Sequence, residues 1–252
     1  MNILIINDDG INSEAMWIMR DYASLLTTNV YVVAPKSDYS GYSFTRLGLA
    51  SKLKVTKVSE SAYAVEGTPV DAVTFAFEYL TNSKNIPFDL VISGINTVVN
   101  IPDSSIFSSG TFAAAYIASS VYEVPSLAVS LNRKLSEREA SPPNYSTAAR
   151  VAIEFATTII NQKLPKICYN LIVPNIKYDL IKDTRIVPFI PGVYIDATID
   201  EEPEMTFSYK KGTTLSIDDY SVYITPFAID ITDYDAIKLL VEESGNDENP
   251  AH

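Results

Sequence analysis

Short, mostly apolar runs recur along the chain at 2–6, 30–34, 88–93, 126–130 and 167–173, each too brief for a helix and rich in Ile, Val and Leu. Such runs read as strands buried on both faces, the signature of a parallel sheet. Between them, 13–26 reads as an amphipathic helix, 70–80 as an apolar helix, 110–121 as an Ala-rich helix and 146–162 as a further helix. Residues 52–58 and 62–66 alternate as a hairpin does. Strand and helix therefore alternate from the start, and the expected architecture is α/β: a doubly wound, mostly parallel sheet with helices on both faces.

Past Pro174 the pattern changes to strand-like runs near 184–188, 193–199, 204–209 and 220–225, followed by a helix at about 234–241. The chain divides on this reading into an α/β core at 1–173, a β-rich extension with its helix at 174–243, and a disordered tail at 244–252. Hairpins carrying Tyr194, Phe207 and Tyr209 are suited to pairing with another subunit, so the extension is expected to serve oligomerisation.

Composition narrows the functional classes. The 252 residues are 47% hydrophobic and 20% charged, enough for one sizeable folded unit. A net charge of -12 disfavours nucleic acid or an anionic membrane as partner. A small phosphorylated substrate stays compatible if a divalent cation offsets the carboxylates around it. The single cysteine, Cys168, fits a reducing compartment, and with no basic leader and no apolar run of membrane-spanning length the expectation is a cytoplasmic protein. The only histidine is His252, the last residue, which excludes a Ser-His-Asp triad and a histidine-rich zinc site. Carboxylates, hydroxyls, amides or a metal must do the chemistry.

In open α/β sheets ligands gather beyond the carboxyl ends of the strands. Four segments fall there: Asn7-Asp8-Asp9-Gly10 after the first strand, Ser40 and Gly41 after the second, Asn96 and Asn100 after the 88–93 strand, and Ser109-Gly110-Thr111 opening the next helix. Adjacent carboxylates stay ionised at low cost beside a hard divalent cation such as magnesium or manganese. The plain alternative is an Asp-Gly turn in which one aspartate caps the following helix. Ser109-Gly110-Thr111 reads equally as an anion site at a helix N-terminus or as ordinary capping by Ser109. Ser40 and Asn96, taken singly, are common loop residues. Gly67-Thr68-Pro69 with Asp71 reads as a normal helix start, and Glu201, Glu202 and Glu204 as a solvated turn.

Together these segments resemble the SurE family of survival-protein nucleotidases. The resemblance rests on ILIINDDGI (3–11), VVAPKSDYSGYSFT (32–45), GTPVDAV (67–73), DLVISGIN (89–96), SSGTFAAA (108–115), VPSLAVS (124–130) and YSVYITPF (220–227), in the family's order. It implies a Rossmann-like core whose extension exchanges elements between subunits, and a metal-dependent phosphomonoesterase acting on nucleoside 5'- and 3'-monophosphates, with short polyphosphate as a further substrate. The implied assembly is a homodimer or homotetramer. One divalent metal per subunit, Mg or Mn, would be held by Asp8, Asp9, Ser40 and Asn96. Catalysis would rest on Asp8, Asp9 and Asn96, and substrate phosphate would sit near Ser109, Gly110, Thr111 and Gly41. The chain departs from the family after Asn96: Val98 and Pro102 stand where glycine is usual, an acidic residue near Ser104 or Ser105 is missing, and the loop is one residue longer. Val and Pro do not take the positive φ open to Gly, so a different loop path is expected.

Three rival readings remain. A receiver domain needs a further Asp and Lys that the Asn96 and Ser130 loops lack, and is much shorter. A haloacid-dehalogenase phosphatase spaces its aspartates Asp-x-Asp. A non-enzymatic nucleotide-binding module, its altered loop having lost turnover, is the strongest alternative.

Overall fold

A computed structural model describes residues 1–133, 141–191, 195–199, 205–209, 217–230, 232 and 236–237. Its centre is β1 (Ile3–Ile6), flanked by β2 (Val30–Pro35) on one side and β5 (Leu90–Asn96) on the other, both parallel to it. Beyond β2 lie β4 (Ala62–Val65) and then β3 (Val55–Ser59), which form the expected hairpin; beyond β5 come β6 (Ser126–Asn132) and β7 (Cys168–Pro174). With β8 (Asp183–Ile186) and β11 (Ser221–Phe227) added at the far end, the order β3-β4-β2-β1-β5-β6-β7-β11-β8 makes one sheet of nine strands, antiparallel only at β3–β4 and β7–β11.

Successive side chains of a strand point to opposite faces, and β1 shows what that does here. Ile3 and Ile5 pack with Met16 and Met19 of α1 (Glu14–Ala23) and with Ala152 and Ile159 of α4 (Tyr145–Gln162). Leu4 and Ile6 face the other way, against Val73 of α2 (Pro69–Phe75) and Ala114 and Ala118 of α3 (Gly110–Ser120). All four β1 residues are fully buried. A strand buried on both faces needs this unbroken apolar run, which makes it legible in sequence. The helix expected at 70–80 exists but changes gauge: α2 runs into π-helical turns over Ala76–Ser83.

The residues after 174 divide between two places. β8 (Asp183–Ile186) and β11 (Ser221–Phe227) continue the central sheet, while β9 (Ile195–Ile199) and β10 (Met205–Tyr209) pair antiparallel as a separate two-stranded sheet. Tyr194, the tail at 244–252 and nearly all of the helix expected at 234–241 lie outside the described residues. No helix among the described residues is long and apolar enough to cross a membrane.

Cys168 opens β7 fully buried, and burial pushes its thiol up to about 12. Asp71 has a purely architectural post. Its carboxylate accepts the backbone N–H groups of Leu47, Gly48 and Thr68 and the Thr68 hydroxyl, closing a capping box at the start of α2. That agrees with the helix-start reading. Asp71→Ala is expected to cost roughly 2–4 kcal/mol in denaturant unfolding, because three backbone donors lose a charged acceptor together.

Candidate active site

The Asn7-Asp8-Asp9-Gly10 turn leaves β1 at its carboxyl end, in the middle of the sheet. Asn7, 1% exposed, clamps the turn: its amide donates to the Gly10 carbonyl at 3.0 Å and its Oδ1 accepts the Gly10 N–H at 3.3 Å. Gly10 sits at φ +97°, and a Cβ there would come within 2.9 Å of the Ser37 backbone. Only glycine meets both conditions. The loop after β2 is thereby drawn onto the turn, with Ile11 N–H donating to the Pro35 carbonyl and Tyr39 N–H to the Asp8 carbonyl, each at 2.8 Å.

Asp8 points into the protein and is 3% exposed. Burial raises its carboxyl above the usual aspartate value; the Thr111 hydroxyl and nearby backbone N–H groups work against that rise, and the Asp38 charge adds to it. The Thr111 hydroxyl donates to Asp8 Oδ1 at 2.5 Å. Thr111 therefore holds Asp8, a partner other than the substrate phosphate expected of it. Gly110 makes the approach possible: a Cβ on it would lie 2.8 Å from Asp8 Cβ and 3.1 Å from both Asp8 Oδ2 and Pro69 Cγ. Ser109 caps α3 by accepting the Phe112 N–H at 3.1 Å, as the plain reading of that segment had it.

Asp9 turns the other way, onto the wall of a cavity of about 380 Å³ shared with Asp38, Ser40, Thr97, Arg133 and Pro143. Ser40 is shaped by Asp38, whose Oδ1 accepts both its N–H at 2.8 Å and its hydroxyl at 2.7 Å. With its proton donated away, Ser40 Oγ keeps its lone pairs for a ligand. Gly41 follows at φ +82° with open space beside it and is not among the residues that line the cavity.

Asn96 follows a bulge at the end of β5 and stands next to Thr97 of the cavity wall without lining it itself. The pairing of β5 with β6 shifts between Ser93 and Asn96, where Gly94 lies at φ +127° with the Val129 carbonyl oxygen 2.4 Å from where its Cβ would be. Bulges of this kind re-aim the residues that follow. The Asn96 amide nitrogen donates to the Val98 carbonyl at 2.8 Å and to Asn100 Oδ1 at 3.1 Å. Its own Oδ1 accepts no hydrogen bond from the described residues. The loop beyond runs without a positive φ at Val98 or Pro102, as those residues require. It is fastened by Val99 N–H to the Arg133 carbonyl, Asn100 N–H to Ser130 Oγ, and the Asn170 amide to the Asn100 carbonyl. Buried Asp103 accepts the Ser105 N–H and starts a 3-10 turn over Ser104–Ser108. An acidic residue is thus present, just before the positions at which it was missed.

The donors gathered here are carboxylate, hydroxyl and amide oxygens, and among the described residues no group of three or more His, Cys, Asp or Glu is placed to hold a metal. A family model described as survival protein SurE matches residues 3–194. The chain belongs to the SurE family. The 5'-nucleotidase SurE of Geotalea daltonii is 30% identical over 254 residues, covering 95% of this chain and 98% of its own. That of Haemophilus ducreyi is 33% identical over 259 residues, with 96% and 99% covered. Among solved SurE structures, that of the Aquifex aeolicus protein superposes with a TM-score of 0.81 at 24% identity, covering 97% of this chain and 100% of that one. The α/β fold expected from the apolar pattern is therefore the SurE fold.

Asp38, Thr97, Arg133 and Pro143 line the cavity without having been singled out in the sequence. Asp38 had a local signal, an acidic residue two positions before a serine and three before a glycine, the form of an Asx turn. Thr97, Arg133 and Pro143 had none.

Proposed function

We propose that this SurE-family protein is a metal-dependent phosphomonoesterase that hydrolyses nucleoside 5'-monophosphates, and 3'-monophosphates, to nucleoside and inorganic phosphate. The observation that carries the proposal is the buried carboxylate of Asp8, raised by desolvation, beside Asp9 at a strand end and against the start of α3. A buried carboxylate of this kind is relieved by a cation. The oxygen donors of Asp8, Asp9, Ser40 and Asn96 are of the chemical kind that a hard cation takes, and one Mg or Mn ion per subunit is assigned to them on that ground. When bound, that ion would supply positive charge to the phosphoryl group and acidify water.

The protein's own residues prepare the rest. Thr111 fixes the rotamer of Asp8, and Asn100 and Val98 fix the amide of Asn96, so neither ligand needs to reorganise on binding. Ser109 and Gly110 bring the N-terminal end of α3, with its partial positive charge, to the same corner, where phosphate oxygens are favoured. The cavity volume of about 380 Å³ lies within the usual range for a small-ligand pocket. The separate β9–β10 pair supports assembly as a homodimer or homotetramer. The buried thiol of Cys168 is in keeping with a cytoplasmic setting.

Phosphate release from AMP and GMP, with Mn or Mg and after chelation, tests the reading directly. Wild type should release phosphate only with the metal, and Asp9→Asn should lower the rate by about 10²- to 10³-fold. Equal activity in the two proteins would sink the site. Nucleotide binding without release under either metal would favour the non-enzymatic module instead.

A further inference from the structure

Arg133 follows β6 directly and is 2% exposed, the buried cation among the described residues. Its backbone is held on both sides: its N–H donates to the Leu131 carbonyl at 2.8 Å, and its carbonyl accepts the Val99 N–H at 3.2 Å. Its Nη2 donates to the Ser141 carbonyl at 2.5 Å. Thus anchored, the side chain forms part of the cavity wall that also carries Asp9, Asp38 and Ser40.

That wall is a demanding place for an anionic substrate. Two of its described residues are carboxylates, the whole chain carries -12, and a phosphate monoester brings about two further negative charges near neutral pH. A single divalent ion offsets Asp8 and Asp9 and leaves the substrate's charge uncompensated. A guanidinium is always charged, and its rigid fork of N–H donors matches two phosphate oxygens at once. Burial on a cavity wall removes the competition of bulk water. Leu131 and Val99 fix the backbone of Arg133 and the Ser141 carbonyl holds one guanidinium nitrogen, so little side-chain entropy is lost on binding.

We infer that Arg133, pinned on the cavity wall across which Asp9 and Ser40 stand, binds phosphate oxygens of the substrate. The inference rests on the phosphomonoesterase reading for its substrate, and it assigns to this chain a phosphate-binding residue outside the Ser109-Gly110-Thr111 helix start.

The test is calorimetric binding of two probes, inorganic phosphate and adenosine, to the Mn-loaded protein and to its Arg133→Gln and Arg133→Lys variants. Thermal melts accompany each to establish folding. Phosphate should bind about tenfold or more weakly to Arg133→Gln and to an intermediate degree to Arg133→Lys, which keeps charge without the fork, while adenosine binding stays unchanged. KM for AMP should rise in the same order. Unchanged phosphate affinity in a folded variant overturns the inference, and so does weakened adenosine with phosphate unaffected, which would assign Arg133 to the nucleoside. If Arg133→Gln melts early, Arg133→Lys carries the comparison alone, and wild-type phosphate affinity in it counts against the proposal. Phosphate binding that depends on Arg133, in a wild type that hydrolyses no monophosphate, keeps this inference while removing the proposed activity.

Discussion

Asp8→Asn is expected to melt at a higher temperature than the wild type in the absence of metal, to lose the stabilisation that Mn gives the wild type, and to hydrolyse AMP about 10²- to 10³-fold more slowly. The isostere can still accept from the Thr111 hydroxyl, so the hydrogen bond at 2.5 Å has a successor. What it lacks is the charge, and burial is the leading reason that charge is costly here. A carboxylate whose value in the folded protein is raised contributes stability below the ordinary value of 3.8, and that contribution is lost as the pH rises through the folded value. On the proposed reading a bound metal would reverse the sign of the effect, since charge would then be what holds the ion. Metal-free melts, melts with excess Mn and a phosphate-release assay on the two proteins make the comparison. A variant less stable than wild type without metal, or equally stabilised by Mn, would remove Asp8 from the proposed shell.

Gly110→Ala should be nearly as damaging, although it adds one methyl group and removes nothing. That carbon would stand 2.8 Å from Asp8 Cβ and 3.1 Å from Pro69 Cγ, both in packed surroundings. Neither neighbour is the loose end of a flexible chain. Asp8 is tied by Thr111, and Pro69 is the first residue of α2. α3 must therefore shift away from the turn, and the displacement falls on the residue that matters. Misplacement on the scale of 1 Å can cost about 10²-fold in rate, and overpacking of this kind about 1–3 kcal/mol in stability. A kcat decline of that order with Mn affinity also weakened is the expected signature. Full activity in the folded variant would mean that the α3 start and Asp8 need not meet.

How much of this could be read from the chain alone depends on the distance over which each feature is specified. The strands at Ile3–Ile6 and Cys168–Pro174 announce themselves because burial on both faces permits only apolar residues. Asn7 to Gly10 and Gly67 to Asp71 are likewise local, since each turn or cap is built from residues within three positions of one another. Asn96 was legible as a loop residue after a strand, but its aim was not, because the bulge at Gly94 shows itself only in the pairing with β6. Thr111 was read as a phosphate ligand from its place at a helix start. That its hydroxyl goes to Asp8, 103 positions away, is a fact of packing that no local pattern encodes. Arg133 is more extreme still: one basic residue after a strand looks like any solvated loop cation until the cavity closes around it. β8 and β11 lie beyond the boundary drawn at 173 yet continue the central sheet, and the pairing of β11 with β7 leaves no mark on either strand alone.

That pairing bears on how the chain behaves as a polymer. β7 is buried along its whole length, and the strand that covers its outer side arrives about fifty residues later, as β11. The outermost strands of the finished sheet are of another kind: β8 is exposed throughout and carries Asp183 and Arg185, and β3 is mostly exposed and carries Lys57. Charged, solvated borders discourage other chains from adding to the sheet. During synthesis, then, an apolar border stands open until the ribosome has delivered Ser221–Phe227. An open apolar border of that kind favours self-association, which the late strand ends by covering it.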